Sequence, residues 1–171
     1  MKKTIMVVGV VVLLCITIFV FQKIDSDLIV NLTDNTDIKP ESGIQSSKVI
    51  DLSNDGLKKV PEYVFDKTEI EELNISNNFL GGSIQAEIRF LTKLKVLNAS
   101  NNLMTGLPAE IGQLADLEIL NLSNNQLTGL PNELGNLKNL KILNLSGNKY
   151  SEQDLEVIRN SLPQTVNIIV D

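Results

Sequence analysis

The chain contains no histidine, no tryptophan and a single cysteine, Cys15. Without an imidazole there is no Ser–His or Cys–His dyad, and His- or Cys-built metal sites are excluded with them. One cysteine cannot form a disulfide within the chain, so cysteine pairing says nothing about compartment. Aromatic residues make up only 4% of the chain, so any core must be aliphatic. Basic residues are the minority: 15 Lys and Arg against 21 Asp and Glu, a net charge of −6. Lys2, Lys3 and Lys23 fall within the first 23 residues, which hold no acid; the rest carries 12 basic against 21 acidic residues, or −9. That balance argues against nucleic acid, whose binding is driven by cationic contacts to phosphate. It argues equally against a basic patch on anionic lipid.

What is present begins with a hydrophobic run. Ile5 to Phe21 is 17 residues without a charge. As a helix it reaches about 25 Å, slightly short of a ~30 Å hydrocarbon core but workable with Thr4 and Gln22 at its ends. Lys2 and Lys3 precede it, and Asp25 and Asp27 follow. The positive-inside rule then puts the N-terminus in the cytoplasm and the remainder outside. Three readings stay open. The favoured one is an uncleaved signal-anchor, or transmembrane helix, over 1–22, with membrane contact through 5–21. Cleavage is the second, giving a secreted protein, although no Ala-x-Ala exists and Ile24-Asp25-Ser26 is a weak site. Lipidation of Cys15 is the third, although Leu14 is bulkier than the small residue such a site needs. Otherwise Cys15 is an inert apolar residue.

Residues 23–46 are rich in Asp, Asn, Ser and Thr, with Pro40 and Gly43. Only Leu28-Ile-Val-Asn-Leu32 could pack on anything. The segment is read as a polar stalk.

From residue 47 the chain repeats itself. Ile50, Leu73, Leu97, Leu120 and Leu143 recur at steps of 23, 24, 23 and 23. A second column lies two residues on: Leu52, Ile75, Ala99, Leu122 and Leu145. Further columns are Leu57, Leu80, Met104, Leu127, Tyr150 and Val60, Ile84, Leu107, Leu130. The period of two at each start is strand-like. One such unit cannot bury its apolar edge alone, but stacked units align their leucines into a continuous core. The strands then lie parallel, about 4.8 Å apart.

The run Leu117-Glu-Ile-Leu120-Asn-Leu122-Ser-Asn-Asn125-Gln-Leu127-Thr-Gly-Leu130-Pro131 resembles the leucine-rich repeat in its typical ~23-residue form. Leu80-Gly-Gly-Ser-Ile84-Gln85 is similar to the longer plant-receptor variant, with Gln85 where proline is usual. The resemblance implies an α/β leucine-rich repeat solenoid, a right-handed superhelix with short parallel strands on a concave face. It divides 47–171 into repeats at about 47–69, 70–93, 94–116, 117–139 and 140–162. The family's asparagine ladder falls on Asn78, Asn102, Asn125 and Asn148, whose amides can satisfy buried backbone groups. Asp55 breaks that column in the first repeat, which is read as a degenerate cap. At the other end Ser151-Glu-Gln-Asp154 resembles a capping box opening a helix with Leu155, Ile158 and Leu162 on one stripe. Pro163 ends it, and Val166–Val170 looks like a last strand. This helix–strand cap, 151–171, is expected to close the domain with no signalling domain beyond it.

The concave positions flank the core leucines. Val96, Ile119 and Ile142 precede them, Asn98, Asn121 and Asn144 follow them, and Ser53, Ser76, Ser100, Ser123 and Ser146 form the next column outward. The apolar stripe edged by these asparagines is the candidate protein-binding face. Equally open is that Val96, Ile119 and Ile142 merely favour strand and pack laterally. Asn-x-Ser/Thr occurs at Asn31, Asn74, Asn98, Asn121 and Asn144; repeat composition accounts for the last four, where glycans would crowd the concave face, and Asn31 in the stalk is the one position with room for a glycan. Lys48, Glu71, Lys95, Glu118 and Lys141 form a solvated charge ladder.

The expected function is therefore a membrane-tethered, extracytoplasmic, non-enzymatic recognition module for a protein or peptide. No catalytic residue, metal or cofactor is expected, and the domain should be monomeric. A structural or adhesive envelope role without a specific ligand is the alternative.

Overall fold

The computed structural model describes residues 48–170. The expected anchor at 1–22, the stalk at 23–46, and with them Cys15 and Asn31, lie outside the described residues. Among the described residues no helix is long and apolar enough to cross a membrane.

Each repeat opens with a three-residue strand: β1 (Val49–Asp51), β2 (Glu72–Asn74), β4 (Val96–Asn98), β6 (Ile119–Asn121) and β7 (Ile142–Asn144). With the last strand, β8 (Asn167–Ile169), they form one parallel sheet in the order β1-β2-β4-β6-β7-β8. The register sets core residue beside core residue: Ile50↔Leu73, Leu73↔Leu97, Leu97↔Leu120, Leu120↔Leu143 and Leu143↔Ile168. A second, two-stranded parallel sheet pairs β3 (Gly81–Gly82) with β5 (Leu103–Met104).

After each strand the chain turns through a residue of positive φ: Asn54 (63°), Asn77 (55°), Asn101 (54°), Asn124 (53°) and Gly147 (69°). Asparagine and glycine are the residues that enter this left-handed region at least cost. The chain then runs to a short 3₁₀ turn: Glu62–Asp66, Ala86–Phe90, Ala109–Gln113 and Asn132–Asn136. Three of these follow proline, whose fixed φ pre-sets the extended entry. Gln85 adopts the same extended conformation (φ −65°, ψ 147°). Its side chain donates from Nε2 to the Val60 carbonyl at 2.6 Å, a bond proline could not make.

Val64, Ile88, Ile111 and Leu134 from the 3₁₀ turns meet the strand leucines in one buried core. The helix α1 (Glu152–Ser161) covers its C-terminal end, burying Leu155 and Ile158, and Leu162 just beyond it is also buried. The expected capping box does not form: Ser151 makes no side-chain bond to the helix end. The Asp154 carboxylate is instead taken by a neighbouring repeat, where it accepts from the Leu130 amide at 3.2 Å.

Candidate functional site

The sheet places Val96, Ile119 and Ile142 side by side on adjacent strands. All three are half-buried, with their alternate neighbours Leu97, Leu120 and Leu143 turned into the core. Glu72 continues the row at one end and Asn167 at the other, both exposed. The result is a three-residue apolar stripe with a carboxylate at one end and an amide at the other.

Asn98, Asn121 and Asn144 lie two residues on from these apolar positions and are also half-buried. Each side-chain Oδ1 accepts twice from the serine two residues later. For Asn98 the donors are the Ser100 amide (3.2 Å) and Oγ (2.8 Å); for Asn121, the Ser123 amide (3.1 Å) and Oγ (2.8 Å). Asn144 repeats this with Ser146 at 3.1 and 2.9 Å, and Asn74 with Ser76. With Oδ1 committed, the group each amide offers to a ligand is its Nδ2 donor. Asp51 holds the same column in the first repeat, and the Ser53 amide donating to its carboxylate draws its pKa below the ordinary value.

The serine column is where the sequence reading fails. Period-two alternation would send Ser76, Ser100 and Ser123 outward, yet they are buried. The strands end two residues earlier, and each serine sits in a turn where its amide and hydroxyl both donate to the asparagine Oδ1.

Behind the turn lies the asparagine ladder. Asn78, Asn102 and Asn125 are buried, and Asn148 is half-buried. Asn125 Nδ2 donates to the carbonyls of Ala99 (3.0 Å), Leu122 (3.0 Å) and Ser123 (3.3 Å), and its Oδ1 accepts from the Met104 amide at 3.1 Å. Asn102 and Asn78 repeat the pattern one and two repeats earlier. Asn148 repeats it at the C-terminal end.

A second, exposed amide ladder borders the strand face and was missed from sequence. Asn101 Nδ2 donates to Asn77 Oδ1 at 2.9 Å, and Asn124 Nδ2 to Asn101 Oδ1 at 2.9 Å. Its signal was the doublet Asn77-Asn78, Asn101-Asn102, Asn124-Asn125: the first asparagine takes the positive φ, the second the buried bonds. On the opposite side of the strands Glu71 bonds both Lys48 and, at 2.7 Å, Lys95, while Lys141 bonds Glu118 at 2.6 Å. The hydrogen bonds from Lys48 and then Lys95 hold the Glu71 carboxyl down at about 2, and Glu71 in turn raises Lys95.

Two depressions lie elsewhere. One of about 600 Å³ is lined by Arg159, Pro163, Gln164 and Ile168, another of about 350 Å³ by Lys59, Phe65, Gln85 and Phe90. Neither contains a residue of the apolar stripe. Among the described residues no cluster of three His, Cys, Asp or Glu could hold a metal ion.

Two family models, both described as leucine-rich repeat, match the chain, one over 92–149 and the other over 69–91 and 139–161. This is a leucine-rich repeat protein. No curated protein matches it. Among solved structures, a leucine-rich repeat protein of Leptospira interrogans is 40% identical with a TM-score of 0.60, over 65% of this chain and 28% of that one. The leucine-rich repeat ectodomain of the receptor kinase SOBIR1 of Arabidopsis thaliana is 28% identical with a TM-score of 0.57, over 71% of this chain and 67% of that one. The Arabidopsis receptor kinase HAESA, solved with a peptide hormone and a co-receptor, is 34% identical with a TM-score of 0.50, over 54% of this chain and 16% of that one. The leucine-rich repeat chain described here thus spans little more than a quarter of the Leptospira protein it resembles.

Proposed function

We propose that this leucine-rich repeat protein is a recognition module that docks a protein or peptide on the solvent face of its six-stranded sheet. The observation that carries the reading is the row Val96–Ile119–Ile142, apolar and half-exposed, set in register on three rigid strands. Beside it run Asn98, Asn121 and Asn144, whose Oδ1 atoms are taken by serines, leaving Nδ2 as the donor each half-exposed amide can offer. An apolar strip supplies desolvation, and the adjoining donors suit the carbonyls of a polypeptide. The ligand complex of HAESA supports a polypeptide ligand by analogy. The face is short, which favours a weak contact strengthened by avidity over a large stable interface.

The setting we propose is extracytoplasmic. Residues 5–21 anchor the chain, Lys2 and Lys3 stay in the cytoplasm, 23–46 connect, and the repeat domain is a monomer on the far side of the membrane. The charge-free run of 17 residues behind two lysines supports this.

The test compares proteins captured by the wild-type chain, by Ile119→Asp and by Tyr63→Asp, the last placing a carboxylate at an exposed position on a 3₁₀ turn. A partner held by wild type and Tyr63→Asp but lost with Ile119→Asp supports the reading. Equal capture by all three sinks it.

A further inference from the structure

The fourth residue of each 3₁₀ turn meets the element that follows, and the sequence varies that contact. Gly112 and Gly135 hold the position in the third and fourth turns, where there is no room even for a Cβ. The obstacle at Gly112 is Glu133, the second residue of the next turn. In the second turn the fourth residue is Arg89, and the second residue of the following turn is Glu110. These two form an ion pair, Arg89 Nη1 lying 3.8 Å from Glu110 Oε1. The guanidinium carbon also lies 4.8 Å from the centre of the Phe90 ring. An arginine is thus held by a carboxylate and a phenyl ring together, surroundings that suit a planar, weakly hydrated cation.

The first turn offers the same surroundings without the cation. Its fourth residue is Phe65, and the second residue of the following turn is Glu87. Both line the depression of about 350 Å³ described above, whose lining also includes the exposed ring of Phe90. Three carboxylates, Glu62, Asp66 and Glu87, stand there against one cation, Lys59, which already bonds Glu62 at 3.3 Å. Among the described residues no ion pair reaches Asp66 or Glu87.

We propose that this depression binds the guanidinium of an arginine presented by a protein partner, set beside Glu87 and the phenyl rings as Arg89 is set beside Glu110 and Phe90. The volume lies at the lower end of the roughly 300–1,000 Å³ of small-ligand sites, which suits one long side chain rather than a whole strand or helix. The excess of carboxylate selects a cation. The phenyl rings favour arginine over lysine, whose compact ammonium is more strongly hydrated. None of these residues belongs to the strand face, so this contact stands independently of the stripe Val96–Ile119–Ile142.

The test uses the full chain in non-ionic detergent, with 4-fluorophenylalanine at its five phenylalanines and the signals assigned by single Phe→Leu changes. The probe is the blocked tripeptide acetyl-Gly-Arg-Gly-amide; its neutral match carries citrulline in place of arginine. The arginine peptide is expected to shift the Phe65 and Phe90 fluorine signals saturably at roughly millimolar concentration. The signal of Phe79, exposed and outside the depression, should stay in place. The citrulline peptide should move none of them. Glu87→Gln is expected to weaken the titration about fivefold. Glu133→Gln, an exposed carboxylate at the same turn position two repeats on, should leave it unchanged. Unmoved Phe65 and Phe90 signals, equal shifts from the two peptides, or equal titration of Glu87→Gln and wild type would overturn the proposal.

Discussion

A methyl group on Gly112 would lie 2.3 Å from the carbonyl oxygen of Glu133. The 3₁₀ turns Ala109–Gln113 and Asn132–Asn136 therefore approach at backbone contact through that glycine. Because the obstacle is main chain, Gly112→Ala must push two repeats apart. A destabilisation of about 1–3 kcal/mol is expected. Gly106→Ala is the control, since nothing lies within 4 Å of its added carbon. It should be neutral or slightly stabilising. Thermal melts of both variants decide the matter; equal melting would contradict the close approach.

Asn125 and Ile119 separate core from surface within one repeat. Asn125→Ala strands the Met104 amide and three carbonyls. That should cost about 1–3 kcal/mol. Ile119→Asp adds a charge at a half-exposed position and should cost less, while removing ligand binding by burying an unpaired carboxylate. Should Ile119→Asp unfold the domain and Asn125→Ala be silent, the strand face and the core have been exchanged.

Glu71 predicts a pH dependence. Its carboxyl is lowered from an ordinary 4.5 to about 2 by Lys48 and Lys95. A depressed folded-state pKa contributes stability that is full above the unfolded value and lost as pH falls through the folded one. The melting difference between wild type and Glu71→Gln should be constant above about pH 5 and vanish between pH 4.5 and 2. It should be small and shrink with salt, because the group is exposed. A difference that grows on acidification would reverse the sign of the argument.

Deleting 151–171 removes α1 and β8 together and lays bare Leu143 and Leu145, both fully buried in the intact chain. An uncovered end of a repeat stack is poorly soluble. Aggregation of the truncated chain in size-exclusion chromatography is expected; a monomer with unchanged melting would show that the cap is dispensable.

Membrane topology is tested by extraction. An uncleaved anchor keeps the full-length mass in the membrane pellet after alkaline carbonate washing, and external protease leaves only a short N-terminal stub. A soluble, shortened product would contradict the proposed anchor.

The strand positions were legible because burial repeats. Leu73, Leu97, Leu120 and Leu143 must meet in one core, so their 23- and 24-residue steps write the sheet register directly into the sequence. Helix α1 was legible for the same reason, from Leu155, Ile158 and Leu162. The apolar stripe could be named as a column, although its exposure depends on which side of each strand the core takes.

What tertiary structure alone decided concerns polar groups, whose partners lie a whole repeat away or beyond a turn. Ser76, Ser100 and Ser123 follow strand parity in sequence, yet beyond the strand ends they are buried, each hydroxyl donating to the asparagine two residues before it. Asp154 reads locally as a helix cap, yet its carboxylate goes to Leu130, 24 residues back. The exposed Asn77–Asn101–Asn124 ladder needs stacked turns before its amides can meet. Hydrophobic burial is periodic and nearly directionless, so sequence alone determined where the core lies. Hydrogen bonds are short and directional, so only the assembled stack decided which atoms they join.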